Sequence, residues 1–176
     1  LVAGTHGRSF WILDDITPLR QVAAAAAARD AFLFQPAPAY RVRWNRNTDT
    51  PLPPDEPAGR NPPDGAIVHY YLAAAPNGPV VLDVLDARLQ VVRRWASDDP
   101  VQQPDTGLNI PDHWMRPPQR LSADPGAHRF VWDLHYGLPK GVRGSFWGPS
   151  GALAVPGNYT VKLTAFGKSS TQPLTV

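Results

Sequence analysis

From Ala66 onward the chain alternates apolar and polar positions with the two-residue period of half-buried β-strands. Val68, Tyr70 and Leu72 share one face of a run over Ala66 to Leu72. Val80, Leu82 and Val84 alternate with Val81, Asp83 and Leu85, and Leu89 to Trp95 forms a further run. Phe130, Trp132 and Leu134 point one way while Arg129, Val131 and Asp133 point the other. Tyr159, Val161, Leu163 and Ala165 alternate with Asn158, Thr160, Lys162 and Thr164, and Ser169 to Val176 returns as the last strand. Asn77-Gly78, Asp86 to Arg88 and Phe166 to Lys168 supply turns between these runs.

The first half is less regular. Phe32 to Phe34 reads as a strand, and Tyr40, Val42 and Trp44 alternate with Arg41 and Arg43 as a second short one. Asn45 to Asp64 holds six prolines and few apolar residues, so it is expected to be a long exposed loop. Ser97 to Pro118 is polar and irregular by the same criteria. Leu1 to Gly4 and Ser9 to Leu13 are β-prone runs joined through Gly7, which can supply the positive φ of a hairpin turn. Thr17-Pro18 reads as a capped helix start, with an alanine-rich helix over Leu19 to Arg29.

About seven strands with no helices between them predict a mostly β chain. Its core would be an immunoglobulin-like antiparallel β-sandwich over residues 31–176, preceded by an N-terminal β-hairpin and one short α-helix over residues 1–30. A parallel α/β sheet would need crossover helices that the sequence lacks. A single small barrel is the structural alternative.

Composition narrows the functional classes. There are 176 residues, enough for one self-sufficient core, and no cysteine, which excludes disulfides and thiolate metal sites. The net charge of +2 is spread without a basic run, which disfavours nucleic acid as a partner. The longest early apolar run, Val22 to Ala28, is far short of a membrane span. The chain opens without Met or a signal peptide, so any export signal is expected upstream, in a longer protein.

Catalytic chemistry has little footing. Glycoside hydrolysis needs a pair of carboxylates at a set separation. Glu56 is the single glutamate, and Asp14-Asp15 and Asp98-Asp99 are adjacent residues that an extended strand would point apart. These acids fit caps and turns better. The histidines, His6, His69, His113, His128 and His135, show no helical metal spacing. A cation site at Asp112-His113 near Asp105 is a weaker reading than a polar surface loop. Gly144-Ser145 lacks the strand-turn-helix setting of a nucleophile, and Asn158-Tyr159-Thr160 matches a glycosylation acceptor in form only. No catalytic, cofactor-binding or metal-binding residue and no cofactor is expected. Trp44, Trp95, Trp114, Phe146 and Trp147 could stack on sugars, with Trp114 and Trp147 in loops the best candidates for ligand contact. Packing is the stronger expectation for aromatics generally, and Trp132 is placed in the core.

Several stretches carry a resemblance. Gly4-Thr5-His6-Gly7-Arg8-Ser9-Phe10-Trp11-Ile12-Leu13-Asp14-Asp15, followed by Thr17-Pro18-Leu19-Arg20-Gln21, resembles the end of the β-propeller in bacterial proteins with neuraminidase-type (Asp-box) repeats, often labelled glycosyl-hydrolase-like or sortilin-like. Pro63 to Leu72, Arg129 to Leu134 and Val155-Pro156-Gly157-Asn158-Tyr159-Thr160-Val161 resemble the C-terminal domain that follows it. The Ser-x-Asp-x-Gly-x-x-Trp box itself is absent. The resemblance implies that residues 1–30 are the remnant of a last propeller blade. It also implies that residues 31–176 are a non-catalytic accessory module packing on an upstream propeller of a secreted or periplasmic protein. The alternatives are a carbohydrate-binding module using Trp114 or Trp147, and a fragment of a glycoside hydrolase whose active site lies upstream. Self-association through the unpartnered N-terminal strands is a further expectation.

Overall fold

The computed structural model describes residues 1–42, 61–100, 119–138 and 151–176, together with residues 50, 52, 53, 55, 56, 59, 109–111 and 114. Its strands are β1 (Val2–Gly4), β2 (Phe10–Ile12), β3 (Ala31–Leu33), β4 (Ala66–Leu72), β5 (Val81–Leu85), β6 (Val91–Ala96), β7 (Gly126–Trp132), β8 (Asn158–Ala165) and β9 (Lys168–Thr175). Two sheets, ordered β3-β4-β7 and β6-β5-β8-β9, form the body, and β1-β2 is a separate hairpin. Every pairing is antiparallel. The order, with β7 returning beside β4 and β8 crossing to lie beside β5, is that of an immunoglobulin-like sandwich.

Inward positions of both sheets meet in one core. Val68, Tyr70 and Leu72 of β4, Leu82 and Val84 of β5, Phe130 and Trp132 of β7, and Val161 and Leu163 of β8 are all buried. Rings interlock between the sheets. Trp132 meets Tyr159 edge to face at 5.3 Å, and Trp95 meets Phe130 the same way at 4.9 Å. Small residues make room where large ones stand: Ala66 is opposite Trp132 in the register. The chain passes so close to Trp132 at the start of β4 that a Cβ on Gly65 would fall 2.1 Å from the Trp132 carbonyl oxygen, and Gly65 holds φ at +123°. Only glycine fits there. The Tyr159 hydroxyl donates to the Val155 carbonyl at 2.7 Å, tying the entry of β8 to the preceding corner.

At both margins of the three-stranded sheet, glutamine side chains take up outward backbone groups. At the β7 edge, Gln119 Nε2 donates to the Val131 carbonyl at 2.7 Å, and the Val131 N–H donates to Gln119 Oε1 at 2.8 Å. Beyond β3, Gln21 meets both backbone groups of Gln35 in the same two-point way, at 3.1 and 2.9 Å. Gln172 of β9 donates to the Leu33 carbonyl at 3.1 Å. A carboxamide carries one acceptor and a donor in the same geometry as a peptide, so it can stand in for a missing strand.

Three expectations need correction. Thr17 does not cap the helix. Asp15 Oδ1 instead accepts the Thr17 N–H at 2.8 Å, ahead of a 3-10 turn over Leu19–Gln21. The helix α1 spans only Val22–Ala27, because Ala28 turns to extended backbone to enter β3. Tyr40 and Val42 are not in a strand: both are exposed on irregular backbone, and Trp44 lies outside the described residues. Pro36 and Pro38 break the ladder, and the chain crosses to the other sheet, where the Ala39 N–H donates to the Thr175 carbonyl at 2.8 Å. Most of the segments over 45–64 and 97–118 lie outside the described residues.

Gln119→Leu removes both bonds to Val131 and bares that edge. Unfolding in urea should show a loss of about 1–2 kcal/mol, and light scattering should show increased self-association. Unchanged values on both counts would show that the carboxamide contributes nothing there.

Candidate functional site

The hairpin of β1 and β2 is the surface least explained by folding. Its loop is closed by Thr5, whose Oγ1 and N–H both donate to the Ser9 carbonyl, at 2.8 and 3.2 Å. Gly7 and Ser9 both hold positive φ, +74° and +64°. The glycine was foreseeable from the sequence, whereas the serine was not. The register pairs Val2 with Ile12, Ala3 with Trp11 and Gly4 with Phe10. The Leu13 N–H donates to the Leu1 carbonyl at 2.8 Å. Opposed residues in an antiparallel pair alternate between bonded and non-bonded positions. Leu1/Leu13 and Thr5/Ser9 are bonded, so Ala3/Trp11 is too. Val2 and Gly4 on one strand, and Phe10 and Ile12 on the other, therefore aim their N–H and C=O groups away from the hairpin.

Neither face of this ribbon is polar. Val2, Phe10 and Ile12 occupy one face, with the Phe10 ring laid over Gly4. Leu1, Ala3, Trp11 and Leu13 occupy the other. All six residues of the two strands are exposed. The six large apolar side chains, including Phe10 and Trp11, are between 44 and 77% exposed. They present apolar surface on the order of 700 Å² in sum, about half on each face, so each face alone falls within the roughly 300–600 Å² of the largest patch on a typical monomer.

The connection from hairpin to sandwich is fastened at several points. Besides the Gln21 clamp on Gln35, the Asp30 carbonyl accepts the Ala73 N–H at 2.8 Å. Asp30 Oδ2 takes Lys168 Nζ at 2.6 Å. Half-buried His69, on the outer face of β4, packs edge-on to Phe34 at 6.4 Å. Burial and the neighbouring Arg129 charge lower its pKa, against an opposing pull from Asp15.

The remaining candidates are dispersed. Trp114 is half-buried, with its backbone N–H donating to the Pro111 carbonyl at 3.0 Å. Trp147 lies outside the described residues, as do Trp44, Phe146, Asp105, Asp112, His113, Gly144 and Ser145. Trp95 turns inward against Phe130, and Trp132 is fully buried, as expected. Asp15 and Asp99 hold local turns, the latter by accepting the Ala96 N–H at 2.7 Å, as adjacent acids in caps should. His6 is exposed in the hairpin loop. His128 stacks on Tyr70 at 5.0 Å, and His135 bonds within its own turn. Burial pushes the Tyr70 hydroxyl up to about 12, although it donates to the Ser122 carbonyl. Among the described residues no group of three His, Cys, Asp or Glu gathers as a metal site would require. Two shallow clefts, of about 230 and 290 Å³, lie beside Ser97 and Arg120 and beside Asp30 and Lys168. No helix among the described residues is long and apolar enough to cross a membrane.

One charged residue escaped the sequence reading. Asp83 stands at an outward position of β5 yet is only 2% exposed, and it receives Arg94 through two bonds of 2.6 and 3.0 Å. The carboxylate raises the Arg94 pKa, first through the hydrogen bond and then through its charge. Asp83 faces Arg94 on one neighbouring strand and Lys162 on the other. The signal was the opposite charge at matching register, legible only once the pairing is known.

Comparison with protein-family models, with curated proteins and with solved structures finds no match for this chain.

Two measurements check this description. Arg94→Ala leaves a buried carboxylate without its bidentate partner and should cost about 2 kcal/mol in chemical denaturation. Asp83→Asn, which keeps a hydrogen-bond acceptor for an exposed guanidinium, should cost less, and the reverse ranking would contradict the assignment. His69 takes up its proton less readily in the folded chain than unfolded, so below its ordinary pKa of 6.5 the unfolded state binds more protons. Stability should therefore be full above that pH and fall as the pH drops through 6.5 toward the lowered value. His69→Gln should flatten this slope in urea titrations across the range, and an equal slope in the variant would exclude His69 as its source.

Proposed function

We propose that this chain is a non-catalytic accessory module of a larger protein, packing on a neighbouring β-propeller and orienting it through residues 1–30. The observation that carries this reading is the two-faced apolar hairpin, held out from a well-packed sandwich by a connection fastened at Gln35, Ala73 and Lys168. A surface of this size without charge within its strands suits burial against another domain. The several anchors along the connection suit a fixed orientation better than free tethering. The likeness of residues 4–21 to a propeller's closing strands supports a propeller as the neighbour, and a secreted or periplasmic location follows from the same likeness.

Deleting residues 31–176 from the longer protein should lower the melting temperature and soluble yield of what remains. A remainder that is equally stable and soluble without them would overturn the reading.

A further inference from the structure

Resting on that reading, we infer that the hairpin is completed by strand addition, with the edge of a β-sheet from the neighbouring domain pairing along it and apolar layers covering both of its faces. The hydrogen-bond parity supplies the first argument. Val2 and Gly4 on one side, and Phe10 and Ile12 on the other, present unpaired backbone donors and acceptors at strand spacing. A strand laid alongside either edge meets them in register.

The treatment of edges elsewhere in the molecule supplies the second. Carboxamides cap the sandwich at Val131, Gln35 and Leu33. The hairpin strands carry no carboxamide, lysine, proline or bulge, the devices that keep an edge from pairing. Charged residues stand only at its margins, Arg8 in the loop and Asp14-Asp15 beyond β2.

The kind of occupant follows from counting surfaces. Val2, Phe10 and Ile12 need cover on one face, Trp11, Leu1 and Leu13 on the other, and at least one edge needs a strand. A second copy of the chain pairing edge to edge would leave both faces bare, and one packing face to face would leave the opposite face and the edges bare. A sheet that is itself flanked by further sheets meets all three needs at once. The apolar area, on the order of 700 Å², is close to the roughly 800 Å² per partner of a stable interface.

The test is hydrogen exchange by mass spectrometry on the isolated 176-residue chain and on the longer protein containing it. Amides of Val2, Gly4, Phe10 and Ile12 point outward, so they exchange rapidly in the isolated chain. In the longer protein those of at least one strand should slow about tenfold or more. Slowing confined to inward-bonded amides such as Ala3, Trp11 and Leu13 would mean face packing without strand addition and would overturn the inference.

Four variants of the longer protein sharpen it. Phe10→Lys and Trp11→Lys load opposite faces, and each should abolish the protection; indifference to either would show that one face is uncovered. Val2→Pro and Ile12→Pro delete an outward donor while sparing the hairpin's own ladder, and one of the two should abolish protection. Unchanged exchange in β4, β5 and β8 verifies that the sandwich still folds. Protection that arises in the isolated chain and grows with its concentration would assign the surface to a second copy and overturn the proposal. The module reading is judged separately, by the stability of the protein lacking residues 31–176.

Discussion

The contact between Trp132 and Tyr159 is the one on which the sandwich depends. With no cysteine, nothing covalent joins the two sheets, and the ring pair does that joining from the inside. Trp132 comes from the end of β7 and Tyr159 from the start of β8, so their meeting fixes how the sheets face each other at one end. The neighbouring features all serve this placement. Ala66 opposite Trp132 leaves it volume, Gly65 lets the backbone pass its carbonyl, and the indole N–H donates to the His135 carbonyl at 2.9 Å. Leu134, buried at a φ of +59°, bends the chain immediately afterwards. The Tyr159 hydroxyl then ties the return of the chain to Val155.

The molecule manages its exposed backbone in two opposite ways. Around the sandwich, glutamine carboxamides imitate absent strands at one position on each margin of the smaller sheet. In the N-terminal hairpin the outward groups of Val2, Gly4, Phe10 and Ile12 stay presented, on a ribbon with no polar face. The contrast within one chain sets the hairpin apart from the sandwich more clearly than either feature would alone. Of the described acids, Asp83 and Asp30 pair with Arg94 and Lys168, and Asp15 and Asp99 hold turns.

Much of the sandwich was legible because a half-buried strand writes its faces into the sequence every second residue. The β4 and β8 runs were assigned with the correct inward residues, and Trp132 was placed in the core. The burial of Asp83 was not legible, because alternation reports a side chain's direction and not what the flanking strands lay over it. The Tyr40-Val42 alternation looked like a strand but had no ladder to join once two prolines intervened. Thr17 caps nothing: Asp15 holds its N–H in a turn that closes ahead of the 3-10 helix, whose start carries no side-chain cap. The hairpin itself was visible in the sequence, while its two bare faces were not: exposure is a property of packing, which no pattern within thirteen residues records. The glutamine clamps join residues as far apart as 139 positions, beyond any local signal.

The sheet order β6-β5-β8-β9 has a bearing on how the protein is made. Strand β8 is next to last in the chain but lies in the interior of its sheet, between β5 and β9. A ribosome releases β5 and β6 long before β8, so the inner margin of β5 waits, open, until β8 has emerged. The larger sheet is therefore completed only when β8 and β9 fold back through the two-residue Phe166-Gly167 turn and insert as a pair. Until then the open β5 margin and the unpaired inner face of its sheet stand bare on the nascent chain, a window in which a bound chaperone would have the most to shield.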